Sequence, residues 1–145
     1  MPLIKPHRIN SIEVTKKDIK RIKKDSEEMY KLCHTPIGLF RGGFAVAHCQ
    51  ITDKKPLRFF VMFNGQTIIN PEITIHTKVK QAHNEGCLSY SDRKETVTMR
   101  WNKCLVKFQI LVDDKFVEKE KELKGIEAKV FQHEIDHFNS VYIYD

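Results

Sequence analysis

His133-Glu134-Ile135-Asp136-His137 places two imidazoles four residues apart, with a carboxylate immediately after the first. On a helix, residues four apart project from one face at about 6 Å, so both rings can reach a single ion. Glu134 lies beside them, close enough to take a proton from a water that the ion activates without itself being a ligand. The chemistry such a set performs is metal-assisted hydrolysis. Apolar Val130, Phe131 and Ile135 around the motif imply a helix that is largely buried, where two histidines and two acids need a purpose.

Two histidines do not complete such a site, because a catalytic divalent ion usually has three protein ligands and a water. Zinc peptidases with this motif find their third ligand downstream. Here eight residues follow His137, and only Asp145 among them is a plausible ligand. The third ligand is therefore expected upstream, among Cys33, His34, His48, Cys49, His76, His83, Cys87 and Cys104. Spacing alone does not choose. Local chemistry favours Cys87, whose neighbour Gly86 allows close backbone approach and leaves the thiolate unobstructed.

Three short segments give the chain a likeness. Gln132-His133-Glu134-Ile135-Asp136-His137 and Glu85-Gly86-Cys87-Leu88-Ser89 match two motifs of the peptide deformylases in full. Gly43-Phe44-Ala45-Val46-Ala47-His48-Cys49-Gln50 matches a third in part, and Asn70-Pro71-Glu72 resembles a segment between the first two. The sequence thus resembles that family over about residues 15 to 144. The resemblance implies removal of the formyl group from formyl-methionyl nascent peptides, with release of formate. It implies Cys87, His133 and His137 as metal ligands and Glu134 as the acid/base. It also implies the Gln50 side-chain amide and the Leu88 backbone N–H as oxyanion donors. A methionine pocket would draw on Phe44, Ala45, Gly86, Ile126, Val130 and His133, with His83 nearby, and Glu85 would pair with Arg100. Ligand softness alone points to Zn2+, whereas the resemblance implies Fe2+, with Zn2+ or Ni2+ as occupants of purified protein.

Two departures stand in the first motif. Ala45 replaces a glycine and adds a methyl where peptide backbone would dock, and His48 replaces an alanine, as a core residue or one touching the site. The chain also lacks the C-terminal helix of many bacterial relatives and in this resembles the short phage and organelle forms. Two other readings stand beside deformylation: a zinc peptidase, and a relative that binds formyl peptides without hydrolysing them.

The elements that must position these residues follow from pattern. A helix is expected over Lys16–Leu32, with Pro36 and Gly38 closing it and Gly42-Gly43 opening the next element. Strands are expected at 44–49, 57–63, 67–69, 73–79, 96–98, 104–112 and 116–123, with turns at Asn64-Gly65 and Asp113-Asp114-Lys115. Ile126–Phe138 reads as the metal-binding helix and Val141–Tyr144 as a final strand. The order is α+β, with antiparallel sheets packed around a central metal-binding helix and an N-terminal helix preceding them.

Length and composition bound the remainder. A chain of 145 residues, 41% hydrophobic and 30% charged, suits one catalytic domain over residues 1–145. Four scattered cysteines without a CxxC pair exclude a disulfide framework and suggest that Cys33, Cys49 and Cys104 are small buried residues. The +6 charge is interleaved with acids, which suits a solvated surface, and no nucleic-acid motif accompanies it. On that charge rests the expectation that a basic surface takes over ribosome docking near the exit tunnel. No apolar run reaches membrane length and the N-terminus has no apolar signal region, so a monomer in the cytoplasm is expected, in a host cell or an organelle.

Overall fold

Short central strands buried along their whole length give this molecule two apolar sheet faces. The computed structural model describes residues 3–35, 44–90 and 92–145. Helix α1 (Ile19–Cys33) follows a 3-10 turn at Lys16–Asp18, and β1 (Ala45–Ala47) runs into a second 3-10 turn, His48–Gln50. There follow β2 (Phe59–Met62), β3 (Thr67–His76), β4 (Lys80–Glu85), a 3-10 turn at Leu88–Tyr90, β5 (Thr96–Trp101), β6 (Lys103–Val112), β7 (Lys115–Lys124) and α2 (Gly125–Phe138). One antiparallel sheet has the order β1-β2-β3-β6-β7, and β4 pairs with β5 in a second. The architecture is α+β, with helix α2 packed against the sheets as the pattern implied.

Successive residues of a strand point to opposite faces, and here both faces are covered. Ala45, Ala47, Phe60, Ile68, Val106 and Phe108 face α2 and pack with its Ala128, Phe131 and Phe138. Val46, Phe59, Val61 and Ile69 face the other way, onto Ile22, Met29 and Cys33 of α1. Phe131 meets Phe60 edge-on, ring centroids 5.1 Å apart, which fixes α2 over the centre of the large sheet. Helix α1 starts where the Asp18 carboxylate accepts the Thr15 N–H, and its buried positions, Ile22, Asp25, Met29 and Cys33, lie along one stripe.

Several expectations shift in detail. Asp113 and Asp114 both take positive φ, 51° and 60°, so β6 and β7 join through the tight two-residue hairpin that such residues permit. The stretches 67–69 and 73–79 form a single strand that ends at His76, with its register shifted beyond Ile69. At that shift Asn70 takes φ 49°, and its side chain bonds Val14 and Gln109. The strand expected over 44–49 ends at Ala47, because His48–Gln50 turns. Strand β4 was not expected at all. The expected final strand at Val141–Tyr144 is instead a turn. Ser140 takes φ 61°, the Tyr142 N–H donates to Asp145 Oδ2, and the Asp145 N–H returns to the Tyr142 carbonyl. Pro36, Gly38, Gly42 and Gly43 lie outside the described residues.

Candidate metal centre

Helix α2 carries His133, Glu134 and His137, and the loop between β4 and β5 carries Cys87 opposite them. One donor atom from each of Cys87, His133 and His137 lies within 4.8 Å of the other two, and Cys87 Sγ is 3.6 Å from His137 Nε2. None of the other upstream candidates joins a comparable group among the described residues. Cys33 and Cys49 direct their thiols to the carbonyls of Val61 and His137, Cys104 is buried in the α2-side core, and His34 and His76 bond backbone carbonyls.

Buried charges hold this cluster in place. His133 Nδ1–H donates to Glu85 Oε1 at 2.7 Å, which leaves Nε2 as the free ligand atom. Arg100 grips Glu85 with two hydrogen bonds of 2.8 Å and reaches Asp136 of α2 with its remaining nitrogen. The planar guanidinium thereby ties β5, the end of β4 and α2 together. Gln132 adds a second tie: its amide bonds both the N–H and the carbonyl of Trp101. Although burial opposes a charge on Glu85, Arg100 and His133 hold its carboxyl well below the usual carboxylate range.

The proton-holding groups differ sharply. Burial pushes Glu134 up to about 7, and its Oε2 has no hydrogen-bond partner among the described residues. Burial also disfavours charge on His133, but bonds from Cys87 and Glu85 outweigh it and raise the ring to about 10. His137, buried beside that ring at 4.7 Å, is driven well below its ordinary value. A sulfur and two imidazole nitrogens converging at these separations, with one side open to a cavity, fit a divalent ion of the zinc or iron type. Cys87 Sγ and one ring nitrogen each of His133 and His137 would hold such an ion.

The open side is a cavity of about 720 Å³. Phe44, Ala45, Gln50, Gly86, Leu88, Ile126, Val130, His133 and Glu134 all line it, as do His83, Lys129 and the 93–95 loop. Among the described residues, strands β1 and β4 each pair on one side only, and Ala45 of β1 and His83, Asn84 and Glu85 of β4 line this space. Gln50 is nearly buried. The Ala47 N–H donates to its Oε1, so its Nε2 must point the other way, toward Ser89 Oγ at 2.9 Å and Cys87 Sγ at 3.8 Å. His137 lies behind Cys87 and His133 rather than on the cavity wall, its ring packed edge-on against Tyr142. His48 lies in the core, bonded to Asp25. The sequence motifs contained Gln132 and Asp136 without assigning them work. Nothing in spacing or composition signalled Tyr142 or the 93–95 rim.

The profile of the family described as Polypeptide deformylase matches residues 6–145. A peptide deformylase of Thermotoga neapolitana is 42% identical over 91 residues, which make up 61% of this chain and 53% of the relative, so the chain matches about half that relative's length. Among solved structures, the peptide deformylase of Thermotoga maritima superposes with a TM-score of 0.80 at 35% identity, covering 95% of this chain and 88% of that one. PDF from the Vibrio parahaemolyticus bacteriophage VP16T, in complex with actinonin, superposes at 0.78 with 28% identity and covers 99% and 100%.

Proposed function

From the premise that the chain belongs to the polypeptide deformylase family, we propose that it hydrolyses the formyl group from N-formyl-methionyl peptides, releasing formate and a free amino terminus. The observation that carries this reading is the convergence of Cys87, His133 and His137 beside a buried Glu134 at the floor of a peptide-sized cavity. The ion is Fe2+, with Zn2+ or Ni2+ able to occupy the same ligands in purified protein. Residues 1–145 act as one catalytic domain and a monomer, on nascent chains at the ribosome in the cytoplasm of a host cell or within an organelle. No described helix is long and apolar enough to cross a membrane.

A divalent ion held by Cys87 Sγ, His133 and His137 supplies a lowered water pKa and polarisation of the formyl oxygen. Glu134 does the proton work. Its carboxyl, poised near neutrality by burial, accepts the proton of the attacking water and passes it to the nitrogen as the formyl C–N bond breaks. The new C–O bond puts negative charge on the formyl oxygen, and the Gln50 Nε2–H and the Leu88 backbone N–H donate to it. Neither donor titrates, so both keep their role across the working pH range. Phe44, Ala45, Ile126, Val130 and His133 enclose the methionine side chain, whose flexible thioether suits such an apolar wall. Gly86 lets peptide backbone pass close to the ligand loop, and the free edges of β1 and β4 suit an extended chain.

Incubating the iron-loaded protein with formyl-Met-Ala-Ser, and separately with Met-Ala-Ser, separates the readings. Deformylation yields formate and intact Met-Ala-Ser, and leaves the unformylated peptide untouched. Cleavage of Met-Ala-Ser would replace this reading with a peptidase. Binding of the formyl peptide without formate release would replace it with a non-hydrolytic binder.

A further inference from the structure

The aim of Gln50 depends on a 3-10 turn of three residues, and that turn is fastened from behind by a buried polar pair. His48 opens the turn and is fully buried. Its Nδ1 accepts the Leu57 backbone N–H at 2.9 Å, so the ring proton sits on Nε2, which donates to Asp25 Oδ2 at 2.8 Å. The ring also packs over Phe59, centroids 4.6 Å apart. Asp25 projects from the buried face of α1, only 4% exposed, with Arg21 Nε 3.7 Å away. Burial pushes the His48 ring down to about 4, in keeping with a neutral ring that carries one proton.

A carboxylate and an imidazole in an apolar core cost stability that packed hydrophobic residues would not. Their hydrogen bonds, however, define a direction that apolar contacts do not. The His48 carbonyl accepts the Ile51 N–H, and two residues on, the Gln50 side chain folds back on Ala47 and points Nε2 into the cavity wall. The turn that presents Gln50 is therefore bonded through His48 to two other parts of the chain: to α1 through Asp25, and to Leu57 just before β2. None of the proton or ligand roles proposed above uses either residue.

We propose that Asp25 and His48 are positioning residues for the active site, locking the His48–Gln50 turn so that the Gln50 amide points at the reacting carbonyl. This rests on the deformylase reading above. Loss of the lock displaces Gln50 by a fraction of its own length. Such displacements cost up to about 100-fold in rate when the group acts in the transition state.

A double-variant cycle on the metal-loaded enzyme tests it, with kcat, KM and metal content measured for each variant. His48→Ala is expected to lower kcat about 10- to 100-fold with KM and metal content unchanged. Asp25→Ala, which leaves the imidazole in place, is expected to do the same, and Asp25→Asn, which keeps an acceptor for Nε2–H, to restore most of the rate. In a Gln50→Ala background, His48→Ala and Asp25→Ala should have no further effect on kcat. Independent effects that multiply would overturn the proposal. The NMR signals of the Gln50 side-chain NH2 read the same claim without turnover. They should shift and average in His48→Ala or Asp25→Ala and return in Asp25→Asn, and signals unmoved by either alanine variant would overturn it. A wild-type enzyme that releases no formate would defeat the deformylase reading, while the NMR comparison would still decide the positioning of Gln50.

Discussion

Glu134 and Glu85 are both almost completely buried near the same histidine, yet their surroundings drive them in opposite directions. Glu134 has no cation bonded to it among the described residues and is raised by burial to about 7, where a carboxyl can both take and give a proton. Glu85 is enclosed by Arg100 and His133 and stays ionised. That division makes Glu85 a holder of His133 rather than a proton carrier, and it yields a prediction. Glu85→Gln leaves Arg100, 7% exposed, with Asp136 as its one charged partner among the described residues. Removing one member of a buried pair costs about 3–5 kcal/mol, and losing the carboxylate behind a ligating histidine weakens metal binding about 10- to 100-fold. Thermal melting and metal titration of Glu85→Gln would show both effects, and unchanged values in both would contradict this account of Glu85. The ligand-bearing trio on α2 was legible from spacing because a helix converts sequence distance into geometry. Cys87 was legible only through Gly86 and the resemblance. The Asp25–His48 contact was not legible, since no local rule relates a helix residue to a turn 23 positions away.

Among the elements, the C-terminal turn bears most directly on the Cys87–His133–His137 cluster. Tyr142 is buried, its ring edge-on to His137 at 5.0 Å and to Tyr90 at 5.7 Å, and its hydroxyl donates to the His7 carbonyl. Arg8 closes the arrangement, bonding Asp145 with both terminal nitrogens and the Ser140 carbonyl with one. Tyr144 stacks under Arg93 and donates to the Lys94 carbonyl, so the turn supports the 93–95 stretch of the cavity rim. Tyr142→Phe keeps the ring and loses one hydrogen bond, worth about 1 kcal/mol. Tyr142→Ala leaves a cavity behind His137 and should cost about 3–5 kcal/mol and lower metal occupancy. Denaturant titration with metal analysis checks both, and equal losses for the two variants would show that the ring contact does not matter. Sequence pattern misread this element because Val-Tyr-Ile-Tyr has strand-forming residues, whereas the Asp145 side chain and the positive φ of Ser140 close it into a turn. Strand β4 was missed for the opposite reason. Lys-Gln-Ala-His-Asn-Glu shows no apolar alternation, and its extended form comes from pairing with β5 along its whole length. Strand β6 with its clear alternation, β2 with its aromatic-rich apolar run, and both helices were legible within a few residues.

At the scale of the whole molecule, a two-faced sheet fixes α2 from one side, α1 from the other, and the small β4–β5 sheet brings Cys87 across to the histidines. Much of the charge is spent on the surface, where Lys103, Lys107 and Lys121 pair with Glu122, Glu120 and Glu127. Of the buried charged residues, Glu85, Arg100 and Glu134 are gathered around the site, while Asp25 lies behind the turn that carries Gln50. Its parts come from residues 44 to 137, so the proposed reaction would need the intact fold, the ion and one acid together. The most direct test measures formate release from formyl-Met-Ala-Ser by the wild type and Glu134→Ala, each stripped of metal by a chelator and then reloaded with iron. Wild type should lose activity on stripping and regain it on reloading. Glu134→Ala should bind the same amount of iron and turn over about 10²- to 10⁴-fold more slowly. Undiminished formate release by the stripped wild type, or by reloaded Glu134→Ala, would contradict the assignment of this site as a metal-dependent deformylase centre with Glu134 as its acid and base.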